Sequence, residues 1–373
     1  MIVDSLVLIA VGAGLAWANG ANDVSKGIAT LVGSGVTDYR RAVAWGALWT
    51  GVGGLLGALL SGAMLSTFGS GLMAEGFTPT FAAALGTLLC ATTWVLLATW
   101  TRLPVSTTHA IVGSLIGVTV LSQGGDAMRW SVLVDKIALP LLLSPFLALG
   151  LTWLLLRLLP ARTPAAAAGD PCLCATVQPT LQVGPGGHAV LGASRLVVVQ
   201  APAAVCAVEQ PSAVRLTLGR LHWLTSGATS LARGMNDGPK IVALSLAAGA
   251  LSRGAQVPVQ WLFAVVSLGM VGGSLVAGRR VTQVLAEGVT PMDDQEGFVA
   301  NLMTAGLVTA GAVFGLPMST THVATGAIFG AGVRRGSLDW RALRQIAAAW
   351  VVTLPAAAAL GGLCWWVIEH GVG

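Results

Sequence analysis

The chain repeats itself, and the parts it repeats are polar. Gly20-Ala21-Asn22-Asp23-Val24-Ser25-Lys26 returns 214 positions later as Gly234-Met235-Asn236-Asp237-Gly238-Pro239-Lys240. Pro104-Val105-Ser106-Thr107-Thr108-His109 returns at an offset of 213 as Pro317-Met318-Ser319-Thr320-Thr321-His322. Two motif pairs displaced by almost one interval imply that the whole intervening segment was duplicated. The surroundings are apolar: of 373 residues 55% are hydrophobic and 9% charged, where a soluble domain carries about 25% charged residues. Mean hydropathy is +0.79. The apolar runs are long enough to cross a hydrocarbon core of roughly 30 Å as helices, and the short alternating segments of a β-barrel are not seen. The expectation is an all-α integral membrane protein. Duplicated halves with polar interruptions point to a secondary transporter.

Ten apolar segments can be delimited, roughly 2–35, 42–66, 80–100, 104–121 and 132–159 in one half and 221–250, 257–277, 298–316, 317–333 and 343–369 in the other. This divides the chain into a first repeat (1–159), a central segment (160–218) and a second repeat (219–373). The opening segment of each repeat is long for one span and carries Asn-Asp inside it, so a break or bend is expected there. If 104–121 and 317–333 are re-entrant hairpins, another crossing is needed elsewhere, and the total lies at roughly 10–12. Ile2 to Ala18 lacks a basic leader and runs directly into Asn22-Asp23, which makes it a retained span rather than a signal peptide. The central segment is rich in Ala, Pro and Gly and is expected to be a loop with little structure, with a weakly amphipathic element around Arg195 to Val199.

Lys and Arg set the orientation. With the N-terminus outside and alternation thereafter, fourteen basic residues fall inside and three (Arg129, Lys136, Arg253) outside, with Lys26, Arg233 and Lys240 in the motifs. Both termini then lie outside and the central segment is cytoplasmic, with reduced cysteines. Five crossings per half make the halves an inverted repeat. The scattered basic residues carry no nucleic-acid signature. Cys172, Cys174 and Cys206 complete no standard metal-ligand spacing.

Asp23 and Asp237 are carboxylates in apolar segments, where a charge costs at least ~2.5–3.5 kcal/mol. A structural ion pair with Lys26 or Lys240 would account for them. Asn-Asp is also a pair of hard oxygen donors suited to Na⁺, or to a proton held by the Asp, so Asn22, Asp23, Asn236 and Asp237 are the candidate cation ligands. Ser106-Thr107-Thr108 and Ser319-Thr320-Thr321 follow prolines and open helices. Free N–H groups, the dipole and the hydroxyls favour an anion there, although N-capping alone would also use such residues. Gly113, Gly117, Gly326 and Gly330 follow and permit close helix approach. His109 and His322 read as structural, and His188, His222 and His370 as incidental. Arg233 stands where the first copy has Asn19; it either steers an anion or snorkels.

At these residues the chain resembles the inorganic phosphate transporter (PiT) family of cation-coupled phosphate symporters. The Gly20–Val24 motif, Val32-Gly33-Ser34-Gly35-Val36 and both Pro-x-Ser-Thr-Thr-His elements carry the resemblance, which covers all but the central segment. It implies an inverted-repeat helical fold, inorganic phosphate bound near the midplane, coupling to Na⁺ or H⁺ without another cofactor, a plasma (inner) membrane location and a homodimer. It also implies that Asn22, Asp23, Asn236, Asp237, Ser106, Thr107, Thr108, Ser319, Thr320 and Thr321 hold phosphate and cation. Against the family's usual Val-Ala-Asn-Ala, this chain continues Val24-Ser25-Lys26-Gly27. The Lys26 ammonium therefore stands where a coupling cation would sit, contacts the anion, or faces the cytoplasm. Two other functions compete. One is transport of another oxyanion such as sulfate, against which two carboxylates argue, because protonated phosphate can donate to them and sulfate cannot. The other is an intramembrane hydrolase using Ser106, His109 and Asp23, which would not need two nearly equal sets.

Overall fold

The apolar segments are helices. The computed structural model describes residues 2–160, 171–183, 188–202, 214–247 and 258–371. The first half contains α1 (Ile2–Gly33), α2 (Tyr39–Leu60), α3 (Gly62–Ser66), α4 (Phe81–Trp100), α5 (Thr107–Gln123) and α6 (Leu139–Leu158). The second contains α7 (Leu218–Ala247), α8 (Val259–Ala277), α9 (Arg279–Glu287), α10 (Asp294–Phe314), α11 (Thr320–Arg335) and α12 (Trp340–Gly371). Helix starts follow local chemistry. The Asp38 carboxylate caps α2 by accepting the Arg41 amide at 3.0 Å, a bond that holds its carboxyl below the ordinary range. Asp293 and Glu296 form a reciprocal capping box at α10, and Arg335 clamps it through Glu296 and Asp293.

Among the described residues, seven helices are long and apolar enough to cross a membrane. The chain is a mostly helical, multi-pass membrane protein. Its burial pattern is the reverse of a soluble protein's. The largest fully buried side chains are Arg233, Lys26 and Lys240, whereas Leu142, Phe146, Leu268 and Val351 are each more than 60% exposed. Helices α5 and α11 have 17 and 16 residues, so each is only about 25 Å long at ~1.5 Å per residue, short of a full crossing.

Two expectations are corrected. First, the chain is not all-α. The central segment, expected to be a loop with little structure, carries a three-stranded antiparallel sheet of order β2-β1-β3, with β1 at Pro171–Val183, β2 at Ala189–Pro202 and β3 at Val214–Leu216. Its Ala, Pro and Gly content outweighed, in the sequence reading, the β-branched run Val197-Val198-Val199, which pairs with Thr176, Ala175 and Cys174. The element expected around Arg195 to Val199 is part of β2. Cys174 is disulfide-bonded, contrary to the expectation of reduced thiols. Arg162, Cys206 and Arg253 lie outside the described residues.

Second, the Asn-Asp motifs do not break their helices. Both α1 and α7 run continuously through them. In an apolar surrounding a break would strand backbone groups without water. Pro239 still removes one amide from α7, leaving the Met235 carbonyl without its helical partner. The Ser61 hydroxyl, at the end of α2, donates to that carbonyl at 3.0 Å. The carbonyl freed by the proline is thus satisfied from outside its own helix.

The two halves pack reciprocally. A methyl group at Gly113 or Gly117 on α5 would land on the carbonyls of Leu354 or Ala358 on α12. The same change at Gly326 or Gly330 on α11 would meet the carbonyls of Pro145 or Leu149 on α6. Likewise Gly20 of α1 abuts Met270 of α8, and Gly234 of α7 abuts Thr50 of α2. Each half's hydroxyl-bearing helix is thus seated on the last helix of the other half, and the glycines set the distance.

Candidate functional site

The fold brings all four motifs together. Asn22-Asp23 and Asn236-Asp237 lie within α1 and α7, one turn before Lys26 and Lys240. The Ser-Thr-Thr runs open α5 and α11, where the proline before each forbids further helix. Ser106 Oγ accepts the His109 amide at 3.2 Å and Ser319 Oγ the His322 amide at 3.3 Å. The two serines are therefore N-caps, as the plainer reading of the motif expected.

Asn19, one turn before Asp23, is the centre of the cluster. Its amide donates to Asp23 Oδ2 at 2.8 Å, to Asp237 Oδ2 at 3.1 Å and to Thr107 Oγ1 at 3.2 Å. Thr107 also donates to Asp23 Oδ2 at 3.1 Å. Both carboxylates thus share one amide across the interface between halves. Lys26 Nζ donates to Asp23 Oδ1 and Asn22 Oδ1, each at 2.7 Å, and to the Asn22 carbonyl at 2.9 Å. Asn22 Nδ2 is anchored to Thr99 Oγ1 and the Leu103 carbonyl. In the second half, Lys240 Nζ donates to Asp237 Oδ1 at 3.1 Å and the Met318 carbonyl at 3.2 Å, and it crosses to Thr108 Oγ1 at 2.8 Å. Asn236 Nδ2 holds Asp237 Oδ1 and the Met318 carbonyl, both at 2.8 Å, while Asn236 Oδ1 is buried without a partner. Thr321 donates to the Val105 carbonyl at 2.7 Å, again across the halves. Thr320 is buried at the start of α11.

Positions related by the repeat touch each other. Arg233, the counterpart of Asn19, donates to Asn19 Oδ1 at 3.4 Å and to Thr50 Oγ1 at 2.6 Å. The rings of His109 and His322 meet with centroids 4.7 Å apart, and His322 packs on Trp350 at 4.0 Å. These contacts mark the line about which the halves are paired. Arg233 does not snorkel: it is fully buried. His222, expected to be incidental, is also buried and bonds Thr30 Oγ1 at 3.0 Å.

The ion pairs Lys26–Asp23 and Lys240–Asp237, which a purely structural role requires, both form. They do not account for the cluster alone. A buried pair is seldom worth its desolvation, and here three basic groups face two carboxylates. That excess of positive charge, beside two helix N-termini, is offset most directly by an anion. The Ser106 hydroxyl is committed to an amide and His109 to its counterpart, an arrangement unlike a nucleophile and its base. None of the ten candidate binding residues is more than 3% exposed, so the cluster is closed to both faces. The sequence reading missed Asn19, Thr50, Thr99 and Ser274, whose hydroxyl accepts from Arg233 at 3.4 Å, as members. Asn19 was findable, since it lies four residues before Asp23 and aligns with Arg233; the others come from neighbouring helices and carry no local signal.

The chain matches the model of the phosphate transporter family over residues 19–361. It is 30% identical to a chloroplast inorganic phosphate transporter of Arabidopsis thaliana over 95% of this chain and 70% of that one. It is 28% identical to a Pyrococcus horikoshii protein provisionally named a phosphate permease, over 98% and 97% of the two chains. Its fold is that of a solved sodium-dependent phosphate transporter, with a TM-score of 0.77, 22% identity and coverage of 98% of this chain and 99% of that one.

Proposed function

The chain belongs to the phosphate transporter family, a family of membrane carriers and not of enzymes, and on that premise we propose that it imports inorganic phosphate by symport with Na⁺ or H⁺. The observation that carries the reading is the convergence of both Asn-Asp motifs and both hydroxyl-bearing helix starts on one buried amide, that of Asn19. Phosphate sits between the N-termini of α5 and α11, held by backbone amides, by Thr107, Thr108, Thr320 and Thr321, and by the excess positive charge, with Ser106 and Ser319 holding the helix ends in place. The Asn-Asp elements, Asn22 with Asp23 and Asn236 with Asp237, are the two candidate cation seats, and their carboxylates accept the proton of HPO₄²⁻ or H₂PO₄⁻. A divalent anion in low dielectric is prohibitive alone, so the cation enters with it and the two gradients are coupled.

The closed cluster is an occluded state of an alternating-access cycle. Two inverted repeats, reciprocally packed, rock about the line marked by Asn19–Arg233 and His109–His322 and open the site to one side at a time. The short helices α5 and α11 with α4 and α10 before them form re-entrant hairpins, so that of ten long membrane segments six (α1, α2, α6, α7, α8 and α12) cross fully, three in each half. The protein lies in the plasma (inner) membrane as a homodimer; the 14-to-3 division of basic residues favours termini outside and the sheet in the cytoplasm, while the Cys174 disulfide in the sheet weighs against that side.

Radiolabelled phosphate uptake into proteoliposomes, under an inward Na⁺ or H⁺ gradient and with sulfate as competitor, tests this. Uptake driven by one gradient and indifferent to sulfate is expected. Uptake abolished by excess sulfate would replace phosphate by a broader oxyanion substrate.

A further inference from the structure

The transport reading leaves the departure at position 26 unexplained. Lys26 is 1% exposed, so it faces neither lipid nor cytoplasm. Its ammonium is surrounded by Asn22 Oδ1, the Asn22 carbonyl and Asp23 Oδ1 at 2.7–2.9 Å. These are hard oxygens from a single turn of α1, one of them a carboxylate. They are the ligand types that suit a small hard cation. We propose that Lys26 is a chain-borne cation seated at the first Asn-Asp element, so that this protein carries one fewer coupling cation per phosphate than it would with that seat open. The inference rests on the phosphate-transport reading and says which charge travels with the anion.

The second half shows why the seats differ. Lys240 occupies the equivalent position, 214 residues on. Its ammonium takes one oxygen from its own Asn-Asp pair, at 3.1 Å, and is drawn to Met318 and across to Thr108. Asn236 Oδ1 keeps no partner, whereas its counterpart Asn22 Oδ1 is bound by Lys26. The first seat is thus closed and complete within one helix. The second is loose, shared between halves, and retains a buried oxygen. With an ammonium already on Asn22 and Asp23, like-charge repulsion at contact distance keeps a second cation out of the same oxygens.

The test compares wild type, Lys26→Arg and Lys26→Ala in proteoliposomes, measuring phosphate uptake together with co-transported ²²Na⁺ and varying Na⁺ against choline. Wild type and Lys26→Arg should share one Na⁺ dependence. Lys26→Ala should lose uptake in choline, regain it in Na⁺ or methylammonium, and carry a single additional Na⁺ per phosphate. An unchanged Na⁺-to-phosphate ratio in an active Lys26→Ala protein overturns the proposal. So does a folded Lys26→Ala protein that neither cation revives. Should Lys26→Ala fail to fold, Lys26→Asn, which replaces the ammonium by a neutral amide, takes the same readings. Wild type without phosphate uptake under any gradient would instead remove the transport reading on which the proposal stands.

Discussion

Pro239 lies inside the second Asn-Asp motif, and its accommodation can be measured. The proline leaves the Met235 carbonyl without an amide, and Ser61, itself fully buried, fills the gap at 3.0 Å. In Ser61→Ala that acceptor is stranded, which costs about 1–3 kcal/mol when no water reaches it. Pro239→Ala restores an amide that closes the helical bond to Met235. In that background the Ser61 hydroxyl is redundant, and Ser61→Ala should cost only a few tenths of a kcal/mol. The double-mutant cycle should therefore show a coupling of about 1–2 kcal/mol. The cycle also subtracts the packing lost where the proline ring approaches Gly57. Unfolding of the purified protein in mixed micelles with rising denaturing detergent, followed by tryptophan fluorescence, reads these differences. If Ser61→Ala costs the same in both backgrounds, Ser61 is not compensating for the proline. The account of how α7 satisfies the freed Met235 carbonyl would then fail.

Other expectations follow from the same contacts. Gly117→Ala and Gly330→Ala push a methyl group into the Ala358 and Leu149 carbonyls and should each cost about 1–3 kcal/mol by overpacking; Gly306→Ala, with open space around it on α10, should be neutral or gain about 0.5–1 kcal/mol, all read as apparent melting shifts. Asp23→Asn strands the Lys26 charge and should destabilise by about 3–5 kcal/mol with loss of phosphate uptake. Asp23→Asn/Lys26→Met removes both charges and should recover stability but not uptake; recovery of both would reduce the pair to scaffolding. Ser194→Cys on exposed β2, in a background without native cysteines, should react with an impermeant maleimide only when the cytoplasmic face is accessible. Labelling of intact cells would invert the proposed orientation.

Much of this molecule is legible in its sequence. Hydropathy alone located the long helices, because a lipid-facing helix must be apolar over its length, and it passed over the polar α9 (Arg279–Glu287). The duplicated Asn-Asp and Ser-Thr-Thr motifs pointed to one buried polar cluster, because polar residues are costly in apolar surroundings and recur there only in company. The central sheet was misjudged because strand pairing depends on partners distant in sequence, and composition records none of them. The broken helices were misjudged because the Asn side chains of both motifs find their partners on other segments, so neither backbone has to open to satisfy them. Asn19 as the shared centre, Arg233 as its partner and the closed seat around Lys26 belong wholly to the tertiary structure. Each depends on side chains from α1, α2, α5 and α7 meeting in one small volume, and only the reciprocal packing of the two halves brings them there. The residue types that can bind phosphate and a cation are written in the chain; which oxygen each ammonium takes is decided by the distances at which the helices stop.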